Sequence, residues 1–336
     1  MNRASSDRLA QAETLFAMLK PSSYPTTAFE EAWNAVLLYS EHTWGAWCSV
    51  GEPQRKETLE QWEIKKGYAE SADKQSRELL AAVIGVPRSN SFDREDSDGS
   101  AQSTQHRQTS LSVAPGSAQV DVFNTLSWPR TELVTLPKEL STAGDRVLDD
   151  AGKAIPSQRL TLGELVFLAR DVPPFAARRY SVVSGSPYSK GCATAQGAFL
   201  DSGAVRVRLN EQTGGIAELT ARGLKGNLID TRGGETANDY LYLIGDQLKD
   251  LQRNGPVTIR VGESGPLVAS LVVESAAPGC KKLVRELRVV AGLDYVELIN
   301  TVDKERLQAK SYHAKEGKES VNFAFPFAVP EGDMLL

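Results

Sequence analysis

Near residue 88 the spacing of apolar residues in this chain changes character, and that change limits the fold more than any other feature. Before it, Leu9, Ala12, Phe16 and Leu19 recur every three or four residues, as the buried stripe of a helix requires. Pro21 closes that first helix. Thr27 with Glu30 three residues on reads as a capping box opening a second. That helix carries Phe29, Trp33, Val36, Leu37 and Ser40 on one face. Pro53 opens a third, with Leu59, Trp62, Ala69, Ser76, Leu80 and Val83, stopped by Gly85 and Pro87. Short connections between three such helices predict an antiparallel bundle over residues 1–87.

Residues 88–115 are Ser, Gln, Asp and Arg with almost no apolar content, and read as a polar linker. Asp93–Asp98 resembles a calcium loop only superficially. Setting Gly99 at its sixth position would put Arg94 at the first ligand site, so it is a solvated charge run. From Val120 the apolar residues alternate instead. Val120–Asn124, Leu133–Leu136, Leu165–Ala169 and Tyr180–Val183 predict a small β-sandwich over 116–186. A Ser/Gly/Pro patch leads to a second β region over 192–336. There Val205–Leu209 meets Ile216–Leu219 across Thr213-Gly214-Gly215, and further strands fall at 240–244, 257–261, 267–274, 282–290 and 294–301. The expected class is α+β multidomain: a three-helix bundle, a small β-sandwich and a partial larger β-sandwich.

Composition narrows the function. A net charge of −5 with scattered Lys and Arg argues against nucleic acid and against an anionic membrane surface. No apolar run reaches the roughly 18 residues of a membrane span. Met1–Asp7 is not a secretory signal. Cys48, Cys192 and Cys280 are far apart and odd in number, which fits a reducing compartment and predicts a cytoplasmic chain without a thiolate zinc site. Gly223-Leu224-Lys225-Gly226 lacks the strand-to-helix context of a phosphate loop. Asn238-Asp239-Tyr240 puts polar groups at a strand entrance, and a turn at a strand edge is favoured there over a ligand groove.

The best-equipped stretch is Tyr39-Ser40-Glu41-His42-Thr43-Trp44-Gly45-Ala46, directly after the second helix. An imidazole, a carboxylate, a hydroxyl and an indole there suit a metal ligand beside a sugar-stacking ring. Taken alone, a histidine in this setting is more often a hydrogen-bonded structural residue. Trp44 reads equally as a sugar platform or as part of an aromatic core with Trp33, Trp47 and Trp62. Trp128, before Pro129, reads as a packing residue at a strand end.

Together with Gln61–Ala69, Val122-Phe123-Asn124-Thr125-Leu126-Ser127-Trp128-Pro129-Arg130, Leu209-Asn210 with Gly214-Gly215-Ile216, and Asn322–Phe327, this stretch resembles glycoside hydrolase family 38, the α-mannosidases. The pieces come in that family's order and cover its helical middle domain and C-terminal β domains. The resemblance implies a retaining, zinc-dependent hydrolase of terminal α-linked mannose in glycans. Such chemistry needs two carboxylates about 5–5.5 Å apart across the scissile bond. In the family these carboxylates and most zinc ligands come from a preceding β/α barrel. That barrel is absent from this sequence and would have to act in cis or as a separate chain. The match assigns no catalytic residue here, His42 as one zinc ligand, and Thr43 and Trp44 as substrate contacts. Thr43 stands where many members carry aspartate, leaving a neutral and weaker hydrogen-bond partner. Glu41 reads as a supporting carboxylate, and His106 and His313 have no ligand spacing. The chain is therefore expected to be a fragment, inactive alone. The rival expectation is a non-catalytic carbohydrate-binding or scaffold protein of β-sandwich modules.

Overall fold

The computed structural model describes residues 1–41, 46–49, 51–85, 117–188, 190–305 and 319–329. They divide into two compact units: the helices with Phe123–Trp128 and Pro173–Ala176, and the strands of residues 117–122, Pro129–Val172 and Ala177 onward. The class is α+β, with helices first and antiparallel sheets after.

In the first unit α1 (Asn2–Leu19), α2 (Thr26–Ser40) and α3 (Lys56–Ile84) share one core. Leu9, Ala12, Leu15 and Phe16 of α1 meet Phe29, Ala32, Ala35 and Val36 of α2, and Ala72, Leu79 and Val83 of α3. Small residues at the crossings let the backbones approach closely, while the Phe16 and Phe29 rings fill the wider end edge to face, 5.7 Å apart. Cross-helix bonds fix the directions. The Asn2 amide donates to Val36 O at 3.2 Å and to Ser40 Oγ at 2.7 Å, so α1 and α2 run antiparallel. Arg8 pairs with Asp73 and Lys20 Nζ donates to Ala82 O at 2.6 Å, so α3 runs parallel to α1. Gly85 ends α3 in the left-handed region, at φ 76°, with its N–H on Ala81 O.

Three expectations from periodicity change. Thr27 lies inside α2, whose N-cap is Pro25 with no side-chain cap bond, so the capping box does not form. Leu19 turns outward at the end of α1, and Leu59 and Trp62 face outward in the first turns of α3. The buried stripe of α3 begins at Thr58 and then resumes only at Ala69.

In the second unit one sheet, ordered β1 (Ala118–Asn124), β7 (Ala176–Val183), β3 (Arg146–Leu148), β4 (Ala154–Ile155), faces another ordered β2 (Arg130–Leu136), β6 (Leu165–Val172), β5 (Ser157–Arg159). Their core holds Leu136, Val147, Leu165, Phe167, Ala169, Tyr180 and Val182. Val166 and Leu168 of β6 point elsewhere and belong to the next, larger core. Burial on both faces is why Leu165–Ala169 is an unbroken apolar run instead of an alternating one. The two β regions are thus joined through β6. Buried Gln158 on β5 adds to this, accepting from Leu267 N and Val268 N, both at 2.9 Å, and donating to Val268 O at 3.1 Å.

The larger core lies among β8 (Thr194–Gln196), β9 (Phe199–Asp201), β10 (Val205–Leu209) and β11 (Ile216–Ala221), and the meander β14 (Val257–Ser264), β15 (Val268–Ser275), β16 (Cys280–Val290), β17 (Glu297–Lys304). A third sheet is ordered β13 (Gln252–Arg253), β12 (Tyr240–Ile244), β18 (Glu319–Phe323). The β10–β11 hairpin turns through Gly214 at φ 74°, where a β-carbon would collide with Val273. Among the described residues no helix is long and apolar enough to cross a membrane.

Candidate functional site

His42, Thr43 and Trp44 lie outside the described residues, as do His106, His313 and the Asp93–Asp98 run. What the structure gives is the frame on either side of the Glu41–Ala46 string. α2 ends at Ser40, and Glu41 leaves it in an extended conformation, φ −60° and ψ 160°. The Glu41 carboxylate forms an ion pair with Lys65 on α3, and Lys65 Nζ also donates to Leu38 O at 3.1 Å, an end carbonyl of α2. A cation on the last turn of a helix is favoured by its macrodipole as well. Beyond the string, Ala46 is buried. The Trp47 N–H donates to Gln61 Oε1 at 3.0 Å, and Thr58 Oγ1 donates to Trp47 O at 3.0 Å.

Thr58, Gln61 and Lys65 are spaced three and four residues apart, so they share one face of α3. That face fastens both ends of the string. Sequence reasoning missed these anchors because polar residues on a helix normally read as solvated surface. Their one signal was the three-and-four spacing itself. Glu41 is engaged by Lys65 in an ion pair.

The surrounding indoles do not form a common core. Trp33 is partly buried and donates from Nε1 to Glu13 at 3.1 Å. Trp47 is 62% exposed and Trp62 is 50% exposed. The Arg55 guanidinium lies 5.1 Å from the Trp47 ring centre, a cation–π contact. Arg55 is held above its ordinary pKa, first by its hydrogen bond to Glu57.

Phe123–Trp128 has a structural explanation. Phe123 packs on the three-helix core. Buried Asn124 then ties the turn, accepting from Leu126 N at 3.0 Å and donating to Trp128 O at 2.7 Å and Pro173 O at 3.1 Å. Trp128 itself is 56% exposed, so it is not the packing residue expected. Its backbone is what the motif holds.

Asn238-Asp239-Tyr240 is likewise internal. Asp239 accepts from Thr236 N and Oγ1, both at 2.7 Å, and lies 3.6 Å from Arg253. Fully buried Arg285 donates to Asn238 O at 2.9 Å and to Thr213 O, tying the β10–β11 turn to the start of β12. Burial pushes Arg285 down to about 10, against the pull of Asp239. The Asn238 and Asn300 amides pair reciprocally at 3.0 and 2.7 Å. Apart from Arg285 Nε, which is buried without a partner among the described residues, these polar groups answer one another and make a structural cross-tie.

Among the described residues no three His, Cys, Asp or Glu side chains gather as a metal site. The described residues therefore do not by themselves fit a zinc ion. No family model matches the chain, and no curated protein matches it.

Proposed function

We propose that this chain serves a retaining α-mannosidase acting on terminal α-linked mannose, as the part that follows the catalytic barrel. In this reading His42 is one of several zinc ligands, Thr43 and Trp44 meet the sugar, and the two catalytic carboxylates belong to another segment or polypeptide. The observation that carries it is the Glu41-His42-Thr43-Trp44-Gly45-Ala46 string at the end of α2. Two features support it: both flanks of the string are held by one face of α3, and β-sandwich strands follow the helices in the order the resemblance implies. Bound zinc would grip substrate hydroxyls and favour a distorted ring. The chain's own share is to hold the string in place. A cytoplasmic setting fits Cys48, Cys192 and Cys280, all free thiols.

The test is direct. Alone, the chain is expected to leave an aryl α-mannoside intact, and turnover at an enzyme-like rate would refute the assignment. Combined with the polypeptide bearing the carboxylates, His42→Ala is expected to lower zinc stoichiometry and hydrolysis together. Unchanged metal content would remove His42 from the metal centre. A metal-free carbohydrate-binding role is supported by the exposed Trp47 and Trp62 rings. Titration with mannosides, with and without chelator, separates the two readings, since binding indifferent to chelator favours the second.

A further inference from the structure

Most arginines on the strands carry their own counter-charge: Arg130 with Glu132, Arg159 with Asp145, Arg179 with Asp121, Arg206 with Asp201, Arg208 with Glu218. Several other cations of the β region do not among the described residues, and four of them are grouped. Lys153 beside β4, Arg170 on β6, Arg178 on β7 and Lys190 all line one cleft of about 320 Å³. None of the four makes an ion pair among the described residues. The carboxylate in the lining, Asp149, uses Oδ1 to accept from Ala151 N at 3.1 Å and Lys153 N at 2.8 Å, holding the β3–β4 turn. Arg178 Nε is buried and has no hydrogen-bond partner among the described residues. An N–H withdrawn from water without an acceptor is costly, and an incoming oxyanion would relieve that cost. Tyr180 and Tyr188 supply rings to the walls, and Tyr180 is fixed by packing 4.9 Å from Phe167.

Clustered like charges in a concave site raise the local concentration of anions. The arginine fork matches carboxylate and phosphate oxygens in two-point contact. The cleft's size lies at the small end of the range for small-molecule sites, roughly 300–1,000 Å³. We propose that this cleft binds a small oxyanion ligand of monosaccharide size, a sugar phosphate monoester or a sugar carboxylate. The site is separate from the Glu41–Ala46 string and does not depend on the hydrolase reading. Scattered through the sequence at residues 153, 170, 178 and 190, the four cations form no recognisable motif and only the fold assembles them.

The test is isothermal titration of the intact chain with glucose 6-phosphate, glucuronate, inorganic phosphate and neutral glucose. One of the two sugar anions is expected to bind and glucose is not, and which anion binds decides between phosphate and carboxylate. Arg170→Ala and Lys153→Ala, at exposed positions, are each expected to weaken binding by about tenfold while leaving the melting temperature unchanged. Arg178→Gln adds a third arm wherever that variant stays folded. Absence of binding by both sugar anions at about 5 mM overturns the proposal. So does an affinity unaltered by the Arg170 and Lys153 substitutions. Inorganic phosphate binding as tightly as glucose 6-phosphate would overturn the assignment to a sugar-sized ligand.

Discussion

Replacing Arg285 by methionine tests the cross-tie between the β10–β11 turn and β12. Methionine matches much of the arginine stem, so the change removes the guanidinium without opening a large void. Asn238 O then loses its donor inside the protein, while Thr213 O keeps the Asn254 amide at 3.2 Å. Each buried acceptor left unsatisfied costs about 1–3 kcal/mol. Asp239 loses a neighbouring positive charge and keeps Arg253 at 3.6 Å. Working the other way, the variant no longer buries a cation, a burial strong enough to push Arg285 down to about 10. Removing one member of a buried charged network typically costs about 3–5 kcal/mol, and here relief from desolvation places the net loss near 3 kcal/mol. Urea unfolding followed by circular dichroism at the strand signal measures it, as a lower midpoint at unchanged slope. Arg285→Lys should fall between, because one ammonium cannot bridge both carbonyls as the fork does. A loss below about 1 kcal/mol for the methionine variant would refute the argument, since Asn238 O would then have found another partner at little cost.

Asn124→Ala removes the side chain that ties Leu126 N, Trp128 O and Pro173 O. At about 1 kcal/mol per bond it should cost about 3 kcal/mol in urea unfolding, and a neutral result would show the turn to be self-supporting. Asp121 is held below its ordinary pKa, first by the Arg179 hydrogen bond and then, against its burial, by that cation's charge. A carboxylate lowered in the folded state contributes stability above its unfolded value near 3.8, lost as pH falls through the folded value. Melting temperature measured from neutral pH down through this window should fall less steeply for Arg179→Met than for the parent chain. Identical acid slopes would remove that pair from the account.

Periodicity alone fixed the order of elements: three helices, then strands from Val120, with the β10–β11 hairpin at Thr213-Gly214-Gly215 and the meander strands close to where alternation puts them. These are local properties, set by which face of a helix or strand must leave water. Facing was less legible. Leu19, Leu59 and Trp62 continue an apolar rhythm yet point outward, because a stripe is buried only where a neighbouring helix covers it. Thr27 and Glu30 have the capping spacing, but Tyr24-Pro25 starts α2 earlier and leaves them inside it.

The Glu41–Ala46 string was visible as chemistry, whereas its fastening by Thr58, Gln61 and Lys65 needed α3 laid beside the end of α2. Composition showed basic residues merely scattered. Folding brought Lys153, Arg170, Arg178 and Lys190 to one cleft, where none of them makes an ion pair among the described residues. Residue type and spacing thus determined what each segment is. Only the packing of distant segments decided which polar groups satisfy one another and which are left facing a cavity, because that depends on neighbours far away in the chain.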